Sequence, residues 1–304
     1  MIAGRLPRTP LLSSATLGRT FGGEAFLKAE LLQRTGSFKP RGVLNKLASL
    51  TQEERSRGVI AASAGNHAGA LAYAAALESI DCLVVMWQGA SEVKRAAALG
   101  YGASIDQEAA GPEAVFERLE ALVEETGRVL VHPFDDPLVI AGQGTVGLEI
   151  GEDLPDVDVV VVPVGGGGLV SGIAAALPGR RIVAVEPEGS AAFHDGLEAG
   201  EPVRVTPRSI ADGLNAPFAG SLPLELGHEL RIDPVLLTEE EIADGFRFLY
   251  GRAKLAAEPA GAAGVAAILA GKVGGLEGAT VAVVVSGGNV APETASGILK
   301  RDLP

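Results

Sequence analysis

The sequence predicts an α/β protein with mostly parallel sheets. Short Val- and Ile-rich runs alternate with Ala- and Leu-rich segments along the 304 residues, and aromatic residues make up only 4% of the chain. Such alternation is typical of strands and helices joined by right-handed crossovers. Residues 157–164 form a nearly continuous apolar run, which is typical of a parallel strand covered on both faces. The chain is long enough for one large domain or two modest ones.

The predicted elements follow this alternation in order. Residues 24–30 alternate apolar and polar side chains, as a half-buried strand does, and a helix follows over residues 41–50. Further strands are predicted at residues 58–62, 83–87, 129–132, 157–164, 181–185 and 280–285. Helices are predicted after residue 67, over residues 92–99, 112–125 and 139–150, after residue 169, from the capping box of Thr238 and Glu241, and after Pro259. The units between residues 58 and 132 look like a compact sub-domain.

Charge and composition narrow the class of protein. A net charge of −13 argues against nucleic acid and anionic membranes as partners, because both require a basic face. No stretch approaches the roughly 20 apolar residues of a membrane span, and the N-terminus lacks the long apolar region of a signal peptide, so we expect a cytoplasmic protein. The single cysteine, Cys82, cannot form an intrachain disulfide and is expected to lie in the core.

Four unusual stretches stand at or close after the ends of predicted strands. They are the turn around Lys39; the run Ser63, Ala64, Gly65, Asn66 and His67; the run Gly165, Gly166, Gly167 and Gly168; and residues 286–289 (SGGN). A lysine beside a proline is by itself ordinary loop chemistry. Ligands of parallel α/β sheets collect at the carboxyl ends of strands, however, so the shared placement predicts one site.

The four glycines predict a phosphate site. Consecutive backbone N–H groups can approach an anion where no Cβ intervenes, and the helix that follows adds its positive end. A nicotinamide dinucleotide is one alternative, because Glu186 stands about 20 residues on, where a ribose-binding acid would lie. The motif G-x-G-x-x-G fails in every register, since Val170 or Ser171 occupies its third glycine position. A phosphate together with a lysine that can form a Schiff base favours pyridoxal 5'-phosphate instead.

The chain resembles the serine/threonine dehydratase family of fold-type II pyridoxal-phosphate enzymes, which are similar to the tryptophan synthase β subunit and include the serine racemases. The matching stretches are residues 33–39 (QRTGSFK), 63–68 (SAGNHA), 132–133 (HP), 140–145 (IAGQGT), 163–169 (PVGGGGL), 210–213 (IADG) and 286–289 (SGGN). The resemblance implies a two-domain fold, each domain a mostly parallel twisted sheet flanked by helices. Residues 1–48 and 137–304 would form the large cofactor domain, and residues 49–136 a small domain that carries the substrate loop. A homodimer is also implied.

The resemblance assigns roles to individual residues. Lys39 would be the Schiff-base lysine and the base that takes the α-proton. The cofactor would also contact Phe38, Asn66, Gly165, Gly166, Gly167, Gly168, Leu169 and Ser286, with the glycines and Leu169 at its phosphate and Ser286 facing the pyridine nitrogen. Ser63, Ala64, Gly65, Asn66 and His67 would bind the substrate carboxylate. For His67, simple packing at a helix start is an equal alternative.

The implied reaction is the dehydration and deamination of L-threonine, L-serine or both to the 2-oxo acid and ammonia. Racemisation is the alternative, but the resembling racemases carry a second serine in the substrate loop where this chain has Ala64. Without that acid/base group, elimination is favoured. Another β-hydroxy amino acid such as hydroxyaspartate, and a non-catalytic binding protein, remain further alternatives.

We expect no bound metal. The cation site of the resembling enzymes uses a glutamate, a carbonyl and an aspartate, and here Glu186 and Ser190 match the first two while Ala192 replaces the third. Two protein ligands support an octahedral ion poorly, and Glu186 is expected to make a structural salt bridge. The chain ends 15 residues after Asn289, so we also expect no C-terminal regulatory domain.

Overall fold

The computed structural model describes residues 4–90, 92–111 and 114–301. The strands, in chain order, are β1 (Leu11–Ser13), β2 (Glu24–Lys28), β3 (Val59–Ala62), β4 (Cys82–Trp87), β5 (Ser104–Ala109), β6 (Val129–Leu130), β7 (Val159–Pro163), β8 (Arg181–Pro187), β9 (Asp233–Leu237) and β10 (Thr280–Val284). The helices are α1 (Ala15–Phe21), α2 (Pro40–Ala48), α3 (Gln52–Arg57), α4 (Asn66–Glu78), α5 (Glu92–Gly100), α6 (Ala114–Thr126), α7 (Pro137–Asp153), α8 (Gly168–Ala176), α9 (Ala192–Ala199), α10 (Ser221–Glu229), α11 (Glu239–Phe248), α12 (Pro259–Leu269) and α13 (Pro292–Lys300).

The described residues fall into two compact units. The larger unit comprises Pro7–Phe38 and residues 143–301, and the smaller unit comprises residues 4–6 and Lys39–Gly142. Helix α2 belongs to the smaller unit because Val43, Leu44 and Leu47 lie in its core. The sequence assigned that helix to the large domain; the predicted domain boundaries themselves stay a prediction.

The larger unit is built on one mixed sheet. Its strands lie in the order β1-β2-β10-β7-β8-β9; β1 is antiparallel to β2, and the other neighbours are parallel. Val159 and Val161 enter the core on one face of β7, while Val160 and Val162 enter the core on the other. This confirms the prediction of a parallel strand covered on both faces, and with it the α/β class.

The smaller unit has a parallel sheet with the strand order β5-β4-β3-β6. Val59 and Ala61 of β3 pack into the core that contains α2 and α4, whereas Ile60 packs with α6 on the opposite face. Cys82 is 3% exposed, as predicted, and burial raises the pKa of its thiol to about 12. Both faces of this sheet are therefore covered by helices.

Most predicted elements are present with ends shifted by a few residues. The capping box is confirmed, since Glu241 N–H donates to Thr238 Oγ1 at 3.3 Å and Thr238 N–H donates to Glu241 Oε2 at 2.8 Å. Residues 112 and 113 of one predicted helix lie outside the described residues, and the helix begins at Ala114. Strands β5 and β9 were not predicted, because these edge strands carry polar residues or proline in place of an apolar run. Within the described ranges, every helix is too short or too polar to cross a membrane.

Candidate active site

In the larger unit, the segments that follow three neighbouring parallel strands lie at one edge of the sheet. Strands β2, β10 and β7 are adjacent, and their carboxyl ends lead into residues 29–38, 285–289 and 164–168. Phe38 N–H donates to the Ser286 carbonyl at 3.1 Å, and Ser37 pairs with Gly287 in an isolated antiparallel bridge. Two of the predicted cofactor residues, Phe38 and Ser286, are thus brought together.

A side chain would clash with packed atoms at one position of the glycine run and would be tightly confined at another. Gly167 has a φ of +93°, and a Cβ there would lie 2.5 Å from Pro223 Cβ and 3.0 Å from the Phe193 ring. A Cβ at Gly165 would lie 3.0 Å from the Leu214 carbonyl oxygen. Helix α8 begins directly afterwards at Gly168, so the N–H groups of its first turn have no acceptor within the helix. These N–H groups can donate to an anion, so the loop fits the predicted phosphate site, whose role stays a prediction.

Two serines near the Phe38 end of this site are buried. Ser286 is 4% exposed, and Ser37 is fully buried with an Oγ that makes no hydrogen bond within the described part of the chain. A buried hydroxyl without a partner is costly, so its presence is typical of a place that a ligand occupies. Neither hydroxyl carries a charge, so neither can act toward a cofactor as a carboxylate would.

In the smaller unit, Lys39 stands immediately before helix α2. Its side chain is half-buried, and Nζ donates to the Pro133 carbonyl oxygen at 2.8 Å. Withdrawal from water disfavours the ammonium form and lowers the pKa of Lys39 from 10.5 to about 8. The amine is therefore neutral in a sizeable fraction of molecules near pH 8, as a nucleophile or base must be.

The predicted substrate loop connects β3 to helix α4. Ser63 Oγ accepts the Gly65 N–H at 3.1 Å, and α4 begins at Asn66 with no side-chain cap on its first turn. Ala64 lies half-buried between them. The N–H groups at the start of this 13-residue helix can donate to an anion, which is consistent with binding of a substrate carboxylate.

His67 is buried inside the start of α4. Its Nε2 lies 2.8 Å from the Val131 carbonyl oxygen, which can only accept, so Nε2 carries the proton. Its Nδ1 is buried and has no hydrogen-bond partner in the described ranges. Burial, followed by the charge of Lys39, lowers the pKa of His67 to about 3, so the ring is neutral and offers one acceptor. The two alternatives for His67, packing at the start of the helix and contact with a ligand, both agree with this geometry.

Helix α2 is fastened to the start of α7 just beside Lys39. Lys46 Nζ forms an ion pair with Asp136 Oδ2 at 2.6 Å, and Asn45 Nδ2 donates to the Leu138 carbonyl at 2.8 Å. The helices approach so closely at Gly142 that a Cβ there would lie 2.5 Å from the Arg41 carbonyl oxygen. The helix that begins just after Lys39 is thus tied to α7 by an ion pair, a hydrogen bond and close backbone packing.

Glu186 caps a helix in place of the salt bridge that the sequence suggested. Its carboxylate accepts the N–H groups of Phe193 and His194, each at 2.8 Å, at the start of α9. Burial raises the pKa of Glu186 to about 8. Ser190 Oγ donates to the Leu214 carbonyl at 3.0 Å, and Ala192 is buried in α9. The described residues contain no cluster of three metal-ligating side chains, and the expectation of no bound metal stays a prediction.

Sequence reasoning missed the contacts that hold the lysine. The Pro133 and Val131 carbonyls bind Lys39 and His67, and backbone groups carry no residue-type signal. The family resemblance includes the stretch His132-Pro133 but assigns no role to it. The roles assigned to the individual site residues stay predictions. The smaller unit contains Lys39 and the substrate loop with His67, and the larger unit contains Phe38, the glycine run and Ser286.

Comparison with known proteins identifies relatives along nearly the whole chain. Residues 2–287 match the family described as pyridoxal-phosphate dependent enzyme. An L-threonine ammonia-lyase of Thermotoga maritima is 46% identical over 301 residues, which cover 97% of this chain and 75% of the relative. The catabolic L-threonine dehydratase of Escherichia coli is 42% identical over 298 residues, covering 95% and 90%. The solved structure of maize serine racemase has a TM-score of 0.92 at 36% identity, covering 99% and 94%.

Proposed function

The chain belongs to the pyridoxal-phosphate dependent enzyme family, and from that premise we propose that it catalyses the β-elimination of L-threonine, L-serine or both. The products are the 2-oxo acid and ammonia. The observation that carries the proposal is the Lys39 amine, which is partly withdrawn from water, has a pKa near 8 and is held by the Pro133 carbonyl. Relatives named L-threonine ammonia-lyase and dehydratase support this choice of substrate.

The residues present fit pyridoxal 5'-phosphate. When bound, this group supplies an electron sink that stabilises negative charge at the substrate Cα. Lys39 would be its covalent anchor. Backbone N–H groups of Gly165, Gly166, Gly167, Gly168 and Leu169 would hold its phosphate, while Phe38, Asn66 and Ser286 would lie at its ring. The N–H groups at the start of α8, which have no acceptor within the helix, and the buried Ser37 hydroxyl without a partner in the described residues support the fit.

Lys39 acts as the base for the α-proton. Its free amine takes the proton only when neutral, and a pKa near 8 keeps a useful neutral fraction at physiological pH. The N–H groups at the start of α4 orient the substrate carboxylate, with Ser63, Ala64, Gly65, Asn66 and His67 forming the loop. Proton removal from Cα and departure of the β-hydroxyl then yield an enamine that hydrolyses to the 2-oxo acid.

Serine racemase is the second candidate, because the maize enzyme shares the fold with a TM-score of 0.92. Racemisation requires an acid/base group on each face of Cα. Ala64 stands in the substrate loop and has no exchangeable side-chain proton. Elimination with Lys39 as the working base is therefore favoured, and a dehydratase for another β-hydroxy amino acid such as hydroxyaspartate is a variant of the same proposal.

We further propose that the enzyme is a cytoplasmic homodimer that acts on a small amino acid and has no nucleic-acid or membrane partner. The family resemblance supports the dimer. The net charge of −13 supports the absence of anionic macromolecular partners.

The deciding experiment measures ammonia release over a panel of threonine, serine, hydroxyaspartate and bulkier β-hydroxy amino acids. Purified protein should carry the visible absorption band of the cofactor, and Lys39→Ala should lose both the band and the activity. Lys300→Ala, an exposed lysine at the end of α13, is the matched control and should keep both. A colourless and equally active Lys39→Ala protein contradicts the proposal, and D-serine forming faster than pyruvate from L-serine would favour the racemase.

A further inference from the structure

A histidine that the proposed reaction does not use closes the turn beside Lys39. We call residues 131–135, which follow strand β6, the His132 turn. The His132 Nδ1 accepts the Asp135 N–H at 2.8 Å and lies 3.4 Å from the Phe134 nitrogen. The Phe134 ring packs edge-on against the imidazole, with centroids 4.6 Å apart and planes at 89°. The imidazole is thus fixed inside the turn by its own backbone and by a neighbouring ring.

The same turn presents two carbonyl groups to the site. The Pro133 carbonyl accepts from Lys39 Nζ, and the Val131 carbonyl accepts from His67 Nε2, both at 2.8 Å. In a planar trans peptide the C=O and N–H groups point in opposite directions. Because Phe134 N–H points to the imidazole, the carbonyl of the same peptide unit, Pro133 C=O, must point away from it, toward the lysine.

We propose that His132 is a positioning residue for Lys39: its unprotonated Nδ1 closes the turn, and the closed turn aims the Pro133 carbonyl at the lysine amine. The proposal rests on the proposed function only in giving Lys39 its catalytic role. The turn would hold the amine whenever the amine is not bonded to the cofactor.

The charges around the imidazole are consistent with a neutral ring. Burial and the charge of Lys39 lower the pKa of His132, while the carboxylates of Asp135 and Asp136 act in the opposite direction. Asp136 is already paired with Lys46 at 2.6 Å. The other imidazole nearby, His67, is neutral and adds no charge. Nδ1 is therefore available as an acceptor at neutral pH.

Two polar substitutions of His132 distinguish a role in positioning Lys39 from a general contribution to folding. In His132→Asn the side-chain oxygen takes the place of Nδ1 and can accept the same backbone N–H groups, whereas in His132→Gln it reaches the place of Nε2 and leaves the turn open. His228→Gln, on the exposed side of α10, is the matched control. For each protein we would measure the rate constant for appearance of the visible band when apoenzyme meets pyridoxal phosphate, and kcat and KM for threonine.

His132→Gln should slow band formation and lower kcat by about 10- to 100-fold with little change in KM, because misplacement of a reacting group by about 1 Å has an effect of this size. For His132→Asn, the rate of band formation and kcat should both stay within about threefold of the wild-type values. Amide exchange at Asp135 should accelerate in His132→Gln but not in His132→Asn. In wild-type apoenzyme, long-range proton–nitrogen NMR should find His132 protonated at Nε2 alone.

Three outcomes would overturn the proposal. One is a proton on Nδ1 of His132 in the wild type, a result that needs no variant to fold. Another is a His132→Gln protein with faster exchange at Asp135 but unchanged band formation and kcat. The third is equal impairment of the two variants. If wild type released no ammonia from any substrate, the proposed function would fail, while the NMR, exchange and band-formation results would still decide the role of His132.

Discussion

Gly142 is the position where a single methyl group should disturb the lysine most sharply. It lies in α7 at its contact with α2, the helix that begins just after Lys39. A Cβ at this position would stand 2.5 Å from the Arg41 carbonyl oxygen, 2.6 Å from Gly42 Cα and 2.8 Å from Asn45 Cβ. Two of these atoms are backbone, so no side-chain rotation relieves the clash. The substitution Gly142→Ala must therefore move the helices apart.

The size of the movement follows from the contact distances. Carbon atoms in contact prefer separations of about 3.5 Å or more, so α2 has to shift by about 1 Å. We expect overpacking to cost about 1–3 kcal/mol, offset by up to about 1 kcal/mol from the better helix propensity of alanine. The same shift would stretch the 2.8 Å bond between Lys39 Nζ and the Pro133 carbonyl beyond hydrogen-bonding range. We expect kcat to fall about 10- to 100-fold.

The assay compares thermal unfolding and threonine kinetics of Gly142→Ala with those of Gly69→Ala. Gly69 lies inside helix α4 of the same unit, and among the described residues no atom beyond its chain neighbours and the adjacent backbone of α4 lies within 4 Å of a Cβ placed there. Gly69→Ala should be neutral or stabilising by about 0.5–1 kcal/mol, because only the helix-propensity term operates. A Gly142→Ala protein with wild-type melting temperature and kcat would refute the reasoning, since it would mean that α2 and α7 yield without moving the lysine.

Three further predictions concern Lys39, the glycine run and the buried Glu186. In apoenzyme, labelling of Lys39 by an amine-reactive reagent should rise with pH, with a midpoint near pH 8. Because the folded-state pKa lies below the ordinary value of 10.5, the unfolded chain binds more protons than the folded chain between pH 8 and pH 10.5. The stability of wild type relative to Lys39→Met should therefore increase as the pH rises from 8 to 10.5. In an equilibrium titration, Gly167→Ala should weaken cofactor binding far more than Gly179→Ala does. Both glycines have a positive φ (+93° and +79°), but only a Cβ at position 167 would clash with neighbouring atoms. Equal losses of affinity would indicate that backbone strain alone is responsible. For Glu186 the folded-state pKa of about 8 lies above the ordinary value of 4.5, so the folded chain binds more protons than the unfolded chain between these two pH values. The stability of wild type relative to Glu186→Gln, measured by denaturant unfolding, should therefore fall as the pH rises from 4.5 to 8. A pH-independent difference would contradict a buried neutral carboxyl group.

The class of fold could be read from the sequence, which also predicted the edge of the sheet at which a ligand should bind. The apolar run of β7 predicted a parallel strand buried on both faces, and the structure confirms it. Parallel strands joined by crossovers bring their carboxyl ends to the same edge, so stretches such as the glycine run and residues 286–289 could be grouped without knowing any contact. Edge strands β5 and β9 escaped prediction because a strand that is not buried on both faces needs no apolar run.

The way in which the lysine is held depends on contacts that form only when the chain folds. Lys39 and the carbonyl of Pro133 are 94 residues apart, and the aim of a carbonyl depends on the conformation of its turn, not on the identity of its residue. The assignment of α2 to the smaller unit likewise rests on packing, through Val43 and Leu44, and the need for glycine at position 142 arises from a helix approaching from elsewhere in the chain. Local sequence specifies side-chain chemistry and periodicity. The direction of backbone groups and the clearance around a Cβ are properties of segments that meet only after folding.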